Sequence, residues 1–327
     1  MEMQSTIRRP FGSLGLDLVR ATEGAALAAG TWMGLGKAEE ADEKATEKMI
    51  SILDTIEMDG QIIIGEGTRL NHHGPLQTGR SVGTGDGHQI DVVADPIDGR
   101  ALLAQGHPGA ISVVAVAPQG TLWAPTQGVY MEKIVVDSQV APFLVPECMD
   151  APAAWTLALV ARAKHKRVSD LIAFVLDRPR HSDLVDEIRR AGARVILRSE
   201  GDIAGALMAI SSDSGVDILM GVGGIAEGLI AACAAKATGG GMLGRLAPQD
   251  AEEESAIRAA GWDAGRILTV DEMVARSTVL FAATGITDGP LLSGVRYRGD
   301  RATSNSMILC GETSTRRVIS AEHLLET

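Results

Sequence analysis

The stretch IDVVADPIDGRAL, running from Ile90 to Leu102, sets the reading of the whole chain. An apolar run reaches Ala94, and two aspartates follow it three residues apart, Asp95 and Asp98. Pro96 fixes its own φ and stiffens the turn between them, and Gly99 permits close backbone approach. In α/β folds, the end of a hydrophobic strand is where functional groups gather. The spacing D-P-I-D-G can therefore aim both carboxylates at one cluster. Arg100 follows at once and needs an explanation of its own.

Working outward, the apolar stripe Leu14, Leu18, Ala21, Ala25 and Ala28 predicts a helix from Ser13 to about Trp32. Ala45, Met49, Ile52, Leu53 and Ile56 predict a second from Asp42 to Ile56. Short apolar runs bounded by glycine and proline read as strands: QIIIGEG, IDVVAD and AISVVAVAP in the first half, LIAFVL, RVILR, DILMGVGG and STVLFAATG in the second. Between LIAFVL and RVILR, the segment SDLVDEIRRAGA reads as a helix with a serine cap, which makes a βαβ-type unit. An alanine-rich helix is expected from about Ala226 to Thr238. The proline-bearing segment DSQVAPFLVPECMDAPAAW reads as a boundary or crossover. The expected organisation is a part over 1–165 and a second over 166–327.

Composition narrows the function classes. Of 327 residues, 45% are apolar, enough for a large core, while aromatics are only 3% and glycines number 38. A net charge of −12 argues against general binding to nucleic acid or an anionic membrane, though a local basic pocket can still hold a phosphate. Cys148, Cys233 and Cys310 are scattered, without C-x-x-C spacing, and read as buried thiols of a reducing compartment. The opening MEMQSTIRRPFGS has no apolar core, so no secretory signal is expected. No run reaches the roughly 18 apolar residues of a membrane helix. A cytoplasmic protein is expected.

Asp95 and Asp98 are not the only acids at such positions. Glu66 ends IIIGEG, Glu227 follows GVGGIA, and Asp42 opens the second helix. Gathered at one point, these carboxylates could not all stay ionised without a compensating charge. Hard oxygen donors without histidine or cysteine suit Mg²⁺ or Mn²⁺. In RPRH, Arg178 and Arg180 are held apart by Pro179, a spacing suited to a phosphate. Glu200 and Asp202 could accept hydrogen bonds from sugar hydroxyls. One competing pattern is present: DILMGVGGIA fits G-x-G-x-x-A through Gly221, Gly223 and Ala226, as in a dinucleotide-binding turn. Against it, the region about twenty residues on, GGGMLGRLA, lacks the acid that would hold a ribose, and Glu227 would repel a pyrophosphate. The adjacent His72 and His73 diverge in direction and read as loop residues, not ligands.

The D-P-I-D-G turn resembles the signature of the lithium-sensitive phosphomonoesterase superfamily. The ordered series RATEGAALAAGTWMG, IIGEG, VYMEKIVV, RPRH, GVGGIAEG, GMLGRL and ATGITDGPLLSGV is similar to the class II fructose-1,6-bisphosphatases of bacteria across nearly the whole length. The resemblance implies a layered αβαβα sugar phosphatase sandwich. It implies metal roles for Asp42, Glu66, Asp95, Asp98 and Glu227. It also implies substrate contacts from Asp98, Gly99, Arg100, Tyr130, Arg178, Pro179, Arg180, Glu200, Gly201, Asp202 and Gly224. The implied reaction is water attack on the 1-phosphate of fructose 1,6-bisphosphate, with sedoheptulose 1,7-bisphosphate as the nearest substitute. Asp42, Glu66 and Arg100 would serve catalysis, and a homo-oligomer is implied.

Three departures from the family pattern stand in the first half. Arg100 holds the place of a threonine that orients water, although arginine cannot accept a proton. Arg69, His72, His73 and Arg80 stand where acidic residues are usual. Ala38 stands where a lysine is usual, with Lys37 one residue away. Asp98 itself is one methylene shorter than the common glutamate. Two alternatives therefore stay open: a paralogue with another sugar phosphate, in which Arg69, Arg80 or Arg100 meets a second phosphate, and a weakly active or non-catalytic homologue.

Overall fold

A computed structural model of the chain describes residues 10–65, 75–125 and 128–325. The first expected helix is α1 (Gly15–Gly30), entered through a 3-10 turn at Phe11–Leu14. The second, α2 (Ala38–Leu53), begins one turn before the expected Asp42. Glu39 and Glu40 occupy its first turn, where the partial positive charge of a helix start favours acids. This places Asp42 inside the helix instead of at its tip.

Strands β1 (Met58–Ile64), β2 (Ser81–Val82), β3 (His88–Asp98) and β4 (Ile111–Pro118) open the first sheet, with the short helix α3 (Arg100–Ala104) between the last two. The chain then builds a second sheet from β5 (Tyr130–Val136), β6 (Ile172–Leu176), β7 (Arg194–Arg198), β8 (Ile218–Gly224), β9 (Gly241–Leu246) and β10 (Leu268–Thr269). It returns to the first sheet with β11 (Leu280–Gly285), β12 (Arg296–Arg298), β13 (Arg301–Cys310) and β14 (Thr315–Leu324). The first sheet runs β12-β13-β11-β4-β3-β1-β2, with β14 beside β13, and the second runs β10-β9-β5-β8-β6-β7. The proline-bearing segment forms 3-10 turns that lead from β5 to α4 (Ala153–Ala163), a crossover to β6.

Three cores separate five layers. Leu18, Ala25, Met49 and Leu53 of α1 and α2 cover one face of the first sheet through Ile90, Val92 and Val114. The other face meets the second sheet across α6 (Asp202–Ile210) and α7 (Ile225–Thr238). On its far side the second sheet packs Val175 and Ile218 against Val160 of α4 and Val185 of α5 (Ser182–Arg190). The result is a layered αβαβα sandwich. Helix α7 is buried nearly all round, consistent with a place between two sheets. One local expectation fails: Ser182 is the first helical residue of α5 and makes no cap, because His181 precedes the helix and its ring turns inward. The three cysteines are buried free thiols, as expected.

The opening stretch gains its geometry from a β-bulge. Asp95 pairs with Val113 and Asp98 with Ile111, so three steps on β3 face two on β4. In a regular strand, residues three apart point to opposite faces; the extra residue cancels that reversal. Both aspartates therefore share the face of Ile111 and Val113, which looks toward the second sheet. Gly99 then takes φ +98°, a left-handed conformation open to glycine, and α3 starts.

Candidate active site

A cleft of about 890 Å³ opens between the two sheets. Asp42, Asp95, Asp98, Gly99, Arg100, Tyr130, Arg178, Arg180, Glu200, Gly201, Asp202, Gly224 and Glu227 all line it. Pro179 belongs to the same turn but does not face the cleft. Glu66, Arg69, His72 and His73 lie outside the described residues. Arg80 is not at the cleft: its guanidinium binds Asp54 at 3.1 Å beyond the end of α2, so it offers nothing to a second phosphate. Lys37 pairs with Glu40 and lies over the Trp32 ring, and so does not reach Asp42.

Each element delivers its side chain for a local reason. Asp95 Oδ1 accepts from the amide of Ile97, which locks the proline turn. Asp98 Oδ2 accepts from Ala204 N at 2.9 Å, across the first turn of α6. Glu200 Oε2 takes the amide of Ala101 at 2.7 Å, so this carboxylate ties the second sheet's loop to α3. It was expected to meet a sugar hydroxyl, and in the structure that oxygen is occupied. Arg100 Nη1 lies 3.3 Å from Asp42 Oδ2. The Arg180 guanidinium stacks over Tyr130, 5.2 Å from the ring centre, and donates to Val222 O.

The acids repel one another. Burial pushes Asp98 up to about 8, against the pull of the Ala204 amide, with Asp202, Glu227 and Glu200 adding to the rise. Burial likewise raises Asp95 well above the usual carboxylate range, reinforced by Asp98, Glu227 and Asp42. Burial and Asp202 raise Glu227. Burial raises Asp42 too, and Arg100 opposes it. A set of buried oxygen donors that resist ionising together fits a hard cation. Asp42 Oδ1 is buried and makes no hydrogen bond, which leaves a donor open. No three acidic, histidine or cysteine side chains among the described residues already stand together as a metal shell. Asp98 is turned to α6 and Asp42 to Arg100, and both would have to contribute from those positions.

Two functional-looking residues were not anticipated. Lys133, 1% exposed, lies beneath the cleft with Nζ 2.5 Å from Asp202 Oδ2. Its sequence signal was present: a lysine on the same strand face as Met131 and Val135 in MEKIVV must point inward with them. Gly223 makes room for the pair, since an added Cβ would sit 1.9 Å from Asp202 Oδ2 and 2.5 Å from Lys133 Nζ. His181 is the other. Leu176 O can only accept, so Nδ1–H donates to it at 2.7 Å, and Nε2 accepts from the amide of Val222 at 2.8 Å. Burial holds this ring below its usual pKa, helped by Arg180 and Lys133, so it is neutral and pins the RPRH turn to β8. Gly221 and Gly223 of the G-x-G-x-x-A pattern thus accommodate His181, Lys133 and Asp202, and the neighbouring Gly224 accommodates Glu227.

Comparisons with known proteins agree with this geometry. The chain matches the family described as bacterial fructose-1,6-bisphosphatase, glpX-encoded, over residues 12–323. It is 37% identical to a class 2 fructose-1,6-bisphosphatase of Haemophilus influenzae, covering 96% of this chain and 97% of that one. It is 36% identical to fructose-1,6-bisphosphatase 1 class 2 of Escherichia coli K12, covering 96% of each. With its fold, its cleft and these relatives in accord, the chain belongs to the glpX-type family of bacterial fructose-1,6-bisphosphatases.

Proposed function

We propose that the protein hydrolyses the 1-phosphate of fructose 1,6-bisphosphate, with sedoheptulose 1,7-bisphosphate as a second substrate. The observation that carries this reading is the opposition of charges across one cleft. Buried acids come from β3, α2 and the start of α7, and Arg178 and Arg180 come from the end of β6. Guanidinium groups suit the planar, bidentate recognition of a phosphate. The acids suit a divalent cation, Mg²⁺ or Mn²⁺, with Asp95 and Glu227 as its first candidates, Asp42 and Asp98 beside them, and Glu66 carried over from the family pattern. When bound, such an ion neutralises phosphoryl oxygens and lowers the pKa of a bound water.

The chain's own residues then divide the work. Arg178 and Arg180 hold a phosphate, with Tyr130 stacked behind Arg180 to fix its plane. Asp202, paired with Lys133, and the loop at Gly201 face the sugar. Asp42 is the acid available to orient water, and Arg100 occupies it. Read as parts, residues 1–165 carry most of the acids, and residues 166–327 carry the phosphate arginines and Glu227. No described helix is long and apolar enough to cross a membrane. We carry a cytoplasmic homo-oligomer over from the family resemblance; light scattering of the purified protein checks the subunit number.

A phosphate-release screen over sugar mono- and bisphosphates, with Mg²⁺ and with Mn²⁺, tests the reading. Release from fructose 1,6-bisphosphate is expected, and the absence of turnover on every substrate would sink it. Preference for a monophosphate or another bisphosphate would move the protein to the paralogue reading. Arg100→Thr frees Asp42 and supplies a hydroxyl. Its hydrolysis of fructose 1,6-bisphosphate is expected to rise about tenfold, short of the roughly 100-fold or more that a well-placed proton-transfer group contributes. An unchanged or lower rate would count against a restraining role for Arg100.

A further inference from the structure

The backbone carries Arg100 to the side of Asp42. Arg100 is the first residue of α3, and α3 is tied to the loop between α1 and α2 by Gly34 N to Leu103 O and Gly36 N to Ala104 O. Asp42 stands on α2 directly across from it, and Nη1 to Oδ2 is 3.3 Å. The residue one turn earlier on α2 is Ala38, which brings no charge. The other carboxylate oxygen of Asp42 is buried and without a hydrogen bond. The guanidinium is half exposed on its outer side, and its influence reaches Asp95 and Glu227 as well as Asp42.

We infer that Arg100 is an internal cation of this active site, which competes with a divalent metal ion for Asp42. The inference rests on the reading of the cleft as a cation site and goes beyond it, because it assigns one cation position to the protein itself. A guanidinium cannot lose its proton in this range, so the competition does not relax at neutral pH. It can yield only by moving away. The acidic centre of the native chain is then held to fewer ions, or to weaker binding, than its carboxylates would otherwise support.

The test is Mn²⁺ binding to the substrate-free protein, read by electron paramagnetic resonance of free Mn²⁺ or by equilibrium dialysis. Arg100→Thr is expected to bind at least tenfold tighter, or to gain one further ion per chain. Arg100→Lys, which keeps a charge, should stay close to the native protein. In the double variant Arg100→Thr with Asp42→Asn the gain should disappear. Arg178→Gln removes an equal charge from the same cleft without touching Asp42, and should change affinity less than twofold. Equal binding by native and Arg100→Thr proteins overturns the inference, as does an equal gain from Arg178→Gln, which would reduce the effect to general charge. Failure of every variant to bind Mn²⁺ instead defeats the cation reading of the cleft, and this inference with it.

Discussion

Replacing Lys133 with methionine is expected to destabilise the protein by about 3–5 kcal/mol and to cut hydrolysis by roughly 100-fold. Methionine matches the length of the lysine stem, so the change removes charge and leaves the packing of β5 nearly intact. What remains is Asp202, a buried carboxylate whose short bond to Nζ has gone. Breaking a buried pair from one side leaves an uncompensated ion, which costs far more than the pair contributes when whole. Asp202 already raises Asp98 and Glu227 through repulsion. The double variant Lys133→Met with Asp202→Asn removes both charges. Its denaturant stability should recover most of the loss while its activity stays low. If the single variant melts like the native protein, Lys133 is not the counter-ion described here.

Lys133 also marks where the sequence stopped being readable. The D-P-I-D-G turn was legible because proline and glycine fix a backbone, and both acids did reach one face. What brought them there was a bulge in β3, and pairing register with β4 is not written in β3 alone. Helix α6 was not anticipated: IAGALMAI is buried on every side and carries no stripe. With it went the partner of Asp98, the Ala204 amide. The return of the chain to the first sheet depends on β13 and β14, where serines, arginines and threonines interrupt the apolar alternation. The strand-end acids and the RPRH arginines stood out by residue type, while Tyr130, Gly201 and Gly224 came only from the family resemblance. The pairings did not stand out, since Glu200 with Ala101 and Arg100 with Asp42 join segments 99 and 58 positions apart.

Asp95→Asn is expected to move stability and activity in opposite directions. In the metal-free protein, the variant should melt at a higher temperature than the native chain at pH 8, while hydrolysis falls by roughly 1000-fold. The reason is linkage. Asp95 and Asp98 have folded-state pKa values raised above the unfolded ones, Asp98 to about 8 from an ordinary 3.8. The folded protein therefore holds protons that the unfolded chain has released. Stability from these groups is fully present below about pH 4 and is lost as pH climbs toward 8. Asp217, Asp170 and Glu272 act in the opposite sense. Their pKa values are lowered by bonds to Lys166 and Lys164, to Arg167, and to the Thr269 amide, and they lose their contribution only as pH falls below the ordinary carboxylate range. The metal-free protein should thus be most stable at mildly acidic pH and weaken toward pH 8. Asparagine at 95 removes one buried ionisable acid and relieves Asp98, so the slope should flatten. Mg²⁺ or Mn²⁺ should flatten it in the native chain by supplying the missing positive charge, and should do less for the variant. Melting curves from pH 5 to 8, with chelator and with either ion, separate these outcomes. A native melting temperature that rises with pH under chelator would mean the acids are already compensated by the protein, and the cleft would no longer call for a cation.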